Sequence, residues 1–533
     1  MRKGMRAFLP HEQHFVLAVD ISVAASYDEA IRTAKGERNM KTSRVAISKD
    51  FRISPIDRRI YGSFVEHLGR CVYGGIYEPG HPSADEAGFR TDVMALVREI
   101  NPPIVRYPGG NFVSGYDWQD GVGPVEQRPK KWDKAWQVIE SNRFGTNEFA
   151  DWARKAGTEV MMAVNLGTRG PKEAADLVEY CNMEGGTYYS DLRKQHGYAS
   201  PHGFKTWCLG NEMDGYWQIG HCSADEYGRR AYEAAMQMKW TDPSIELVAC
   251  GSSGAYMPTF AQWEATVLEH CYDVVEYISL HAYYDIEQGD SPEFMAGAVY
   301  MDNYIKTIAA TCDYVKAKKN SKKTMYISFD EWNVWFHRRK HGYPGGKYVP
   351  RYTLEDMLVF GTMVNSLLRN ADRVKIGCQA QLVNVIAPIY TDPVHGAWKQ
   401  AIFFPYMYAS RYGQGISLQA VVDAPTYAAE NCDDVPYLDL AVTFNEEDQL
   451  TLFAVNRDME QGMEMAVDLR QFEGFAVEEH IVMYHEDIKA VNAPENPNNI
   501  LPARLNNARM DGGRLSAMLP KHSWNMIRLK KQG

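Results

Sequence analysis

Between residues 61 and 384 the chain repeats one pattern: a short apolar or β-branched run, a cluster of polar residues at its C-terminal end, then a stretch of helical periodicity. Eight runs follow it, Tyr61–Glu66, Ile104–Tyr107, Glu159–Asn165, Lys205–Glu212, Glu246–Ser252, Val274–Tyr283, Met325–Glu331 and Arg373–Gln381. Between them, stretches such as Asp92–Ile100, Ala224–Lys239 and Leu354–Arg369 carry apolar residues at helical spacing. Strands alternating with helices call for parallel pairing through crossover helices, and eight such units close a (β/α)8 barrel. The expected fold class is therefore α/β, a TIM barrel over residues 58–402. After about residue 402 the pattern changes to short alternating strands without a long helix: Leu438–Val442, Leu450–Val455, Met463–Leu469, Glu479–Tyr484 and Ser523–Leu529. That pattern predicts a C-terminal all-β, jelly-roll-like sandwich, with the turn-rich Asn492–Asn507 as a loop inside it. The strand from Arg44 to Ile53 precedes the barrel and is expected to pair with the sandwich, which would then comprise residues 40–57 plus 403–533.

Residues 1–39 carry neither a motif nor a patterned strand. The apolar run Phe15–Val19 is cut by Asp20, shorter than the roughly 7 to 15 residues of a signal-peptide core. A second methionine, Met40, stands just before the first strand, and translation is expected to start there, which would make residues 1–39 a mis-assigned extension. Truncation at Met40 is accordingly expected to leave melting temperature and activity unchanged. A fall of several degrees on truncation would show that the segment packs on the folded body.

Composition narrows the class. The chain has 533 residues, 45% of them hydrophobic and 23% charged, enough for a large core and ordinary for a globular protein. No run approaches the roughly 18 to 20 uncharged apolar residues of a membrane helix, so no membrane association is expected. With 57 basic against 68 acidic residues the net charge is −11, and no basic face suited to a phosphate backbone is evident, so nucleic acid is not an expected partner. The nine cysteines form no CxxC pair and are odd in number, which points to a reducing, cytoplasmic compartment. Thirty-two tyrosines and 12 tryptophans supply many flat amphipathic rings, a surface suited to sugar faces.

In a (β/α)8 barrel the C-terminal strand ends meet at one mouth, where the chemistry is placed. Those ends supply Glu66 and His67; Arg106 followed by Gly109-Gly110-Asn111; Asn165; Asn211-Glu212; Ser252-Ser253; His281 and Tyr283; Asp330-Glu331; and Gln381 with Asn384. So many polar groups would be costly in a packed core unless partnered, whereas a polyhydroxylated ligand would use them. Asn165, Ser252 and Ser253 read better as caps and loop hydrogen bonders. Glu212 and Glu331 end nonadjacent strands and would face one cavity, and a pair of carboxyls across a sugar ring is what glycosidic cleavage requires.

Six motifs in order carry a resemblance over roughly residues 44–533: Gly62–Arg70, Arg106–Phe112, Trp207–Gly215, Ile278–Tyr284, Asp330–Trp335 and Ala380–Ile386. In them the chain closely resembles the family 51 glycoside hydrolases, the α-L-arabinofuranosidases of intracellular type. The resemblance implies a retaining, exo-acting hydrolase that releases terminal α-L-arabinofuranosyl residues from oligosaccharides or arabinoxylan and arabinan fragments, with no cofactor and no metal. It implies Glu212 as general acid/base and Glu331 as nucleophile. It carries over Glu66, Asn111, Asn211, Tyr283 and Gln381 as the residues gripping the terminal furanose, with the rings of Trp136 and Trp335 walling the site. Arg106 would be the cationic partner of Glu331. The resemblance also implies a homo-oligomer, commonly a hexamer.

Three rival readings share part of this pattern. Another retaining activity of the same clan, a β-glucanase or β-xylosidase, would keep both carboxylates and differ in its loops; aryl glycosides separate the two. A non-catalytic carbohydrate-binding protein would have no use for a buried carboxylate pair, whose repulsion costs stability. A metal enzyme is disfavoured because His67, His281 and His395 show no ligand spacing of the HExxH kind.

Overall fold

The computed structural model describes residues 40–285, 290–335 and 351–532, so the expectation for residues 1–39 lies outside the described residues. Eight strands close a barrel: β1 (Gly62–Phe64), β2 (Ile104–Tyr107), β3 (Glu159–Val164), β4 (Thr206–Leu209), β5 (Glu246–Ala249), β6 (Tyr277–Tyr284), β7 (Tyr326–Val334) and β8 (Val374–Ala380). They pair in parallel in chain order, β8 closing onto β1. Phe64, Ile104, Met161, Ala163, Cys208, Val248, Ile376 and Cys378 fill the interior, so the barrel is a packed core closed below its mouth.

The register between β6 and β7 shifts between Ser328 and Glu331, and that between β7 and β8 shifts between Phe329 and Trp332. A register shift re-aims side chains that strict alternation would send to opposite faces. Here the consecutive residues Asp330 and Glu331 both reach Arg106 in the interior.

Helices wrap the barrel, several opened by the expected caps. Ser223 accepts from the Glu226 N–H at the start of Ala224–Thr241, and Thr353 accepts from the Asp356 N–H at the start of Leu354–Arg369. The latter helix is buried on nearly every face because it lies between barrel and C-terminal sheet. Its Asn365 Nδ2 donates to Asp439 Oδ1 at 2.7 Å and its Arg369 pairs with Asp439 at 3.0 Å. Burial opposes ionisation of Asp439, but Arg369 and Arg457 hold its carboxyl below the usual range.

Ten strands form the C-terminal sheet in the order 503–505, 475–483, 523–531, 449–456, 438–444, 416–423, 41–55, 463–468, 514–519, 509–511. Val45, Leu418, Leu440, Leu452, Val467, Leu515 and Leu529 share one apolar core, so this single sheet curls around its own interior. The strand Lys41–Pro55 sits inside it, antiparallel to Ile416–Asp423 and parallel to Met463–Asp468.

Two expectations need correction. Residue 402 is not where the helices end, because Phe403–Tyr412 is a helix whose Phe403, Phe404, Tyr406 and Met407 belong to the barrel's core, and the sheet begins only at Ile416. Residues 403–410 are buried whichever way they face, so the segment carries no helical period to read. The loop expected over Asn492–Asn507 contains the strand Ala503–Leu505, paired with Phe475–Met483 through His480, Ile481 and Val482; three residues are too few to show alternation. All nine cysteines are unpaired, and no helix among the described residues is long and apolar enough to cross a membrane.

Candidate active site

The mouth is organised around Arg106, a buried side chain on β2. Its Nη1 donates to Glu331 Oε1 at 2.6 Å and its Nη2 to Asn211 Oδ1 at 2.8 Å, while the guanidinium lies over the Phe64 ring at 4.7 Å. The second oxygen of Glu331, Oε2, accepts from the Tyr283 hydroxyl at 2.7 Å. Two charge-assisted hydrogen bonds from different strands thus fix the orientation of this carboxylate. Trp335 meets the Tyr283 ring edge-on at 4.9 Å.

Glu212 follows Gly210, which has φ +92°, and itself sits at φ +45°, a left-handed backbone uncommon for a residue with a Cβ. Strain of this kind concentrates where a side chain must be aimed. Its Oε2 accepts from Trp217 Nε1 at 2.7 Å, and its Oε1 lies 3.0 Å from His281 Nδ1. That nitrogen is also 3.6 Å from Glu331 Oε2, and His281 Nε2 is 3.3 Å from Asp330 Oδ1. Burial works against a charge on His281, but the carboxylates of Glu331, Asp330 and Glu212 outweigh it and raise the imidazole to about 10. The ring is a cation at neutral pH. Stability linked to that proton is complete below the ordinary value of 6.5 and is lost as pH rises through about 10. One oxygen of Glu212, one of Glu331 and a His281 nitrogen all lie within 4.8 Å of one another. This is the cluster of metal-ligating type among the described residues, and a proton on His281 competes with any metal for the same lone pair.

A fourth carboxyl group, that of Glu66, faces the same space. Glu66 Oε1 accepts from the Phe112 N–H at 3.0 Å and from Trp136 Nε1 at 3.1 Å, and its Oε2 accepts from Gln381 Nε2 at 3.2 Å. Burial, with the nearby charge of Glu331, pushes Glu66 up to about 8 against the pull of the Phe112 N–H. It is mostly protonated at neutral pH and can donate as well as accept. Gln381 Oε1 is buried with no partner among the described residues, an acceptor free for a ligand hydroxyl. Asn111 Oδ1 lies 3.4 Å from Asn211 Nδ2.

The glycine pair after β2 makes this convergence possible. A Cβ at Gly110 would fall 2.9 Å from Glu331 Oε1 and 3.5 Å from both Asn211 Nδ2 and Glu66 Oε2. Gly110→Ala is therefore expected to displace the Glu331 carboxylate from Arg106 and to lower kcat about a hundredfold while the fold survives. Steady-state kinetics beside a melting curve would check this; retained kcat would mean that the carboxylate has room to move.

Arg106, Asn111, Asn211, Tyr283, Glu331, Trp335 and, through His281, Glu212 thus form one set of contacts, and Glu66 gathers Trp136 and Gln381 into a second set across Gly110 from it. Asn165 and Ser253 belong to neither: Asn165 Oδ1 accepts from the Gly167 and Thr168 N–H groups, and Ser253 is held by Asp214. His67 is engaged by Glu140 and Tyr107, and His395 by Asp392, both apart from the carboxylate pair. Sequence reasoning missed Trp217, and it named Asp330 and His281 only as strand-end residues of the mouth, with no role in the site. His281 and Asp330 had a signal in their strand-end positions. Trp217 had none, because its contact depends on a loop folding back over five residues.

Comparison with known proteins gives an independent result. Residues 96–306 match the α-L-arabinofuranosidase 1 domain model and residues 330–523 the α-L-arabinofuranosidase C-terminal domain model. The chain is 56% identical over 499 residues to an intracellular exo-α-(1→5)-L-arabinofuranosidase of Halalkalibacterium halodurans, covering 92% of this chain and 99% of that one. It is 55% identical to an intracellular exo-α-(1→5)-L-arabinofuranosidase of Bacillus subtilis, covering 92% and 100%. Among solved structures, a family 51 α-L-arabinofuranosidase from Bifidobacterium longum superposes with a TM-score of 0.87 at 41% identity, covering 92% of this chain and 100% of that one. With that overall likeness around a barrel mouth holding two strand-end glutamates, the chain belongs to the family 51 glycoside hydrolases, the α-L-arabinofuranosidases.

Proposed function

We propose that the protein hydrolyses terminal non-reducing α-L-arabinofuranosyl residues by double displacement, with Glu331 as nucleophile and Glu212 as general acid and then general base. The observation that carries this reading is the separation of the two carboxylates. One oxygen of each lies within 4.8 Å of one on the other, a close approach that favours a retaining pair, whose carboxyl groups stand roughly 5 to 5.5 Å apart, over an inverting one at about 6.5 to 9.5 Å. The environments split the roles. Glu331 is pinned by Arg106 and Tyr283 and presents a fixed oxygen to the anomeric carbon. Glu212 is held from the outer side by Trp217 and stands where a leaving group must pass.

The remaining residues bind and orient. Asn211 is placed for the 2-hydroxyl, whose hydrogen bond strengthens as positive charge develops on the ring. Glu66, Asn111 and Gln381 surround the other hydroxyls, and Trp136 and Trp335 close the pocket. His281, a cation between Glu212, Asp330 and Glu331, compensates the negative charge that would otherwise drive these carboxylates apart.

The curated relatives named above are called intracellular, and we place this protein in the cytoplasm, acting on imported arabino-oligosaccharides as a homo-oligomer, a hexamer by resemblance. The C-terminal sheet is read as a jelly roll. A panel of nitrophenyl glycosides tests the substrate class: the arabinofuranoside should be cleaved far faster than the glucoside or xyloside. Preference for either pyranoside would move the protein to another activity of the clan. Size-exclusion chromatography with light scattering tests the assembly, and a monomer would contradict it.

A further inference from the structure

A second group of aromatic and charged side chains shares no residue with the mouth and stands where the C-terminal sheet meets the barrel. A hairpin of two short strands, Thr426–Ala429 and Cys432–Pro436, reaches the helix Ser291–Met295 that follows β6. It is fastened there. The Tyr427 hydroxyl donates to Pro292 O at 3.0 Å, the Glu430 N–H to Glu293 Oε2 at 2.6 Å and the Asn431 N–H to the Tyr300 hydroxyl at 3.4 Å. Beside the hairpin lies a cavity of about 280 Å³, walled by Lys41, Tyr427, Tyr437, Arg457, Asp458 and Glu460. A neighbouring cavity of about 320 Å³ carries Arg44, Asp423 and Pro425, and the Tyr437 N–H donates to Pro425 O at 2.9 Å, which joins the walls of the two. Each is close to the lower end of the roughly 300 to 1,000 Å³ of small-molecule sites, and together they make a groove.

The wall residues narrow the chemistry. Arg457 is 3% exposed; its Nη1 donates to Pro436 O at 2.8 Å and its Nη2 to Asp439 Oδ2 at 2.9 Å, while its Nε is buried with no partner among the described residues. An unmet buried donor is costly, and a ligand oxygen at this wall would satisfy it. Lys41 pairs with Asp458, and its Nζ lies 3.7 Å from the centre of the Tyr437 ring, which meets the Tyr427 ring at 5.0 Å. Charge is balanced in both cavities: Lys41 and Arg457 face Asp458 and Glu460 in the first, and Arg44 faces Asp423 in the second. A charged ligand would lose to one sign what it gained from the other. A neutral ligand with many hydroxyls can donate to the carboxylates and accept from the guanidinium, and the two tyrosines add the apolar carbon that suits the C–H surface of a sugar ring.

We propose that this seam is an accessory groove for a neutral oligosaccharide, a chain of furanose or pyranose rings, separate from the catalytic mouth. The fastenings of the hairpin set the walls before binding, so little order remains to be lost. The groove takes no part in bond cleavage. Because Pro292 follows the strand that carries Tyr283, a chain held here stays on the molecule near the mouth end of the barrel, and the effect is on how long a long substrate remains bound.

Hydrogen–deuterium exchange on the full-length Glu331→Ala protein locates binding without any need for turnover, so the result stands apart from the proposed reaction. Linear arabinohexaose should protect peptides covering residues 424–437 and 457–461 as well as those of the mouth. Tyr437→Ala should abolish the first protection and spare the second, and Tyr437→Phe should retain both, since the ring carries the contact. Glu460→Gln, at an exposed position that does not threaten the fold, should raise the concentration needed for protection of the groove about threefold. Hexagalacturonate, the charged counterpart, should leave the groove peptides unprotected. With Glu331 intact, Tyr437→Ala should keep kcat/KM for nitrophenyl arabinofuranoside and lower that for linear arabinan about threefold. Protection by arabinohexaose confined to the mouth, protection of the groove by hexagalacturonate instead, or groove protection indifferent to both Tyr437→Ala and Glu460→Gln would overturn the proposal.

Discussion

Glu331→Ala is expected to be inactive on every arabinofuranoside and to remain folded. The covalent intermediate needs a carboxylate at that position, and the neighbours are otherwise engaged: Arg106 and Tyr283 are donors, Asp330 pairs with His281 and Arg106, and Glu66 is held by the Phe112 N–H, Trp136 and Gln381. Arg106 keeps Asn211 and Asp330 as partners, so the substitution does not strand a buried cation, and the barrel should keep its cooperative melting. The shortened side chain opens space beside the anomeric carbon, and azide should enter it. Rescue by azide should yield the β-arabinofuranosyl azide, a product of inverted configuration, because a single displacement replaces two. Residual hydrolysis above about one part in a hundred, without azide, would remove Glu331 from the nucleophile role, since loss of a covalent catalyst costs far more than that.

Glu212→Ala should behave differently, and the difference depends on the leaving group. A nitrophenolate departs with little protonation, so the first step should stay fast. The second step, in which the same residue acts as base on water, should become slow. The expected trace is a burst of phenol of about one equivalent per site followed by a slow steady rate. Arabino-oligosaccharides leave as alkoxides of far higher pKa, and toward them the variant should be almost dead, by about three orders of magnitude. Loss of Glu212 also removes one of the carboxylates that raise His281, so the imidazole should titrate at lower pH in this variant. Equal losses on both kinds of substrate without a burst would give Glu212 another task.

The barrel was legible because its chemistry interrupts its hydrophobicity. Strands such as Trp207-Cys208-Leu209 and Tyr326-Ile327 are apolar until they reach the mouth and polar immediately after, which marks both the strand and the end that carries function. Placement of Lys41–Pro55 in the C-terminal sheet was open to the same kind of reading, since it alternates through Val45 and Ile47 and has no helix after it in the usual barrel position. Elements lacking a period were not legible. The helix Phe403–Tyr412 is buried all round, and the strand Ala503–Leu505 is three residues long. In the site, residue types at strand ends were visible from the chain alone, whereas contacts made by tertiary folding were not. Trp217 reaches Glu212 through a loop, and His281 meets Glu212, Asp330 and Glu331 from another strand. No local pattern records that a histidine will be surrounded by three carboxylates.

The most direct test of the double displacement is to trap its intermediate. Glu212→Ala should be mixed with nitrophenyl α-L-arabinofuranoside, quenched in acid during the burst, digested with pepsin and mapped by mass spectrometry. One pentosyl residue should appear on a peptide containing Glu331 and on no other, and proton NMR of the early wild-type product should show the α anomer. An unmodified digest together with a β-configured first product would contradict the account.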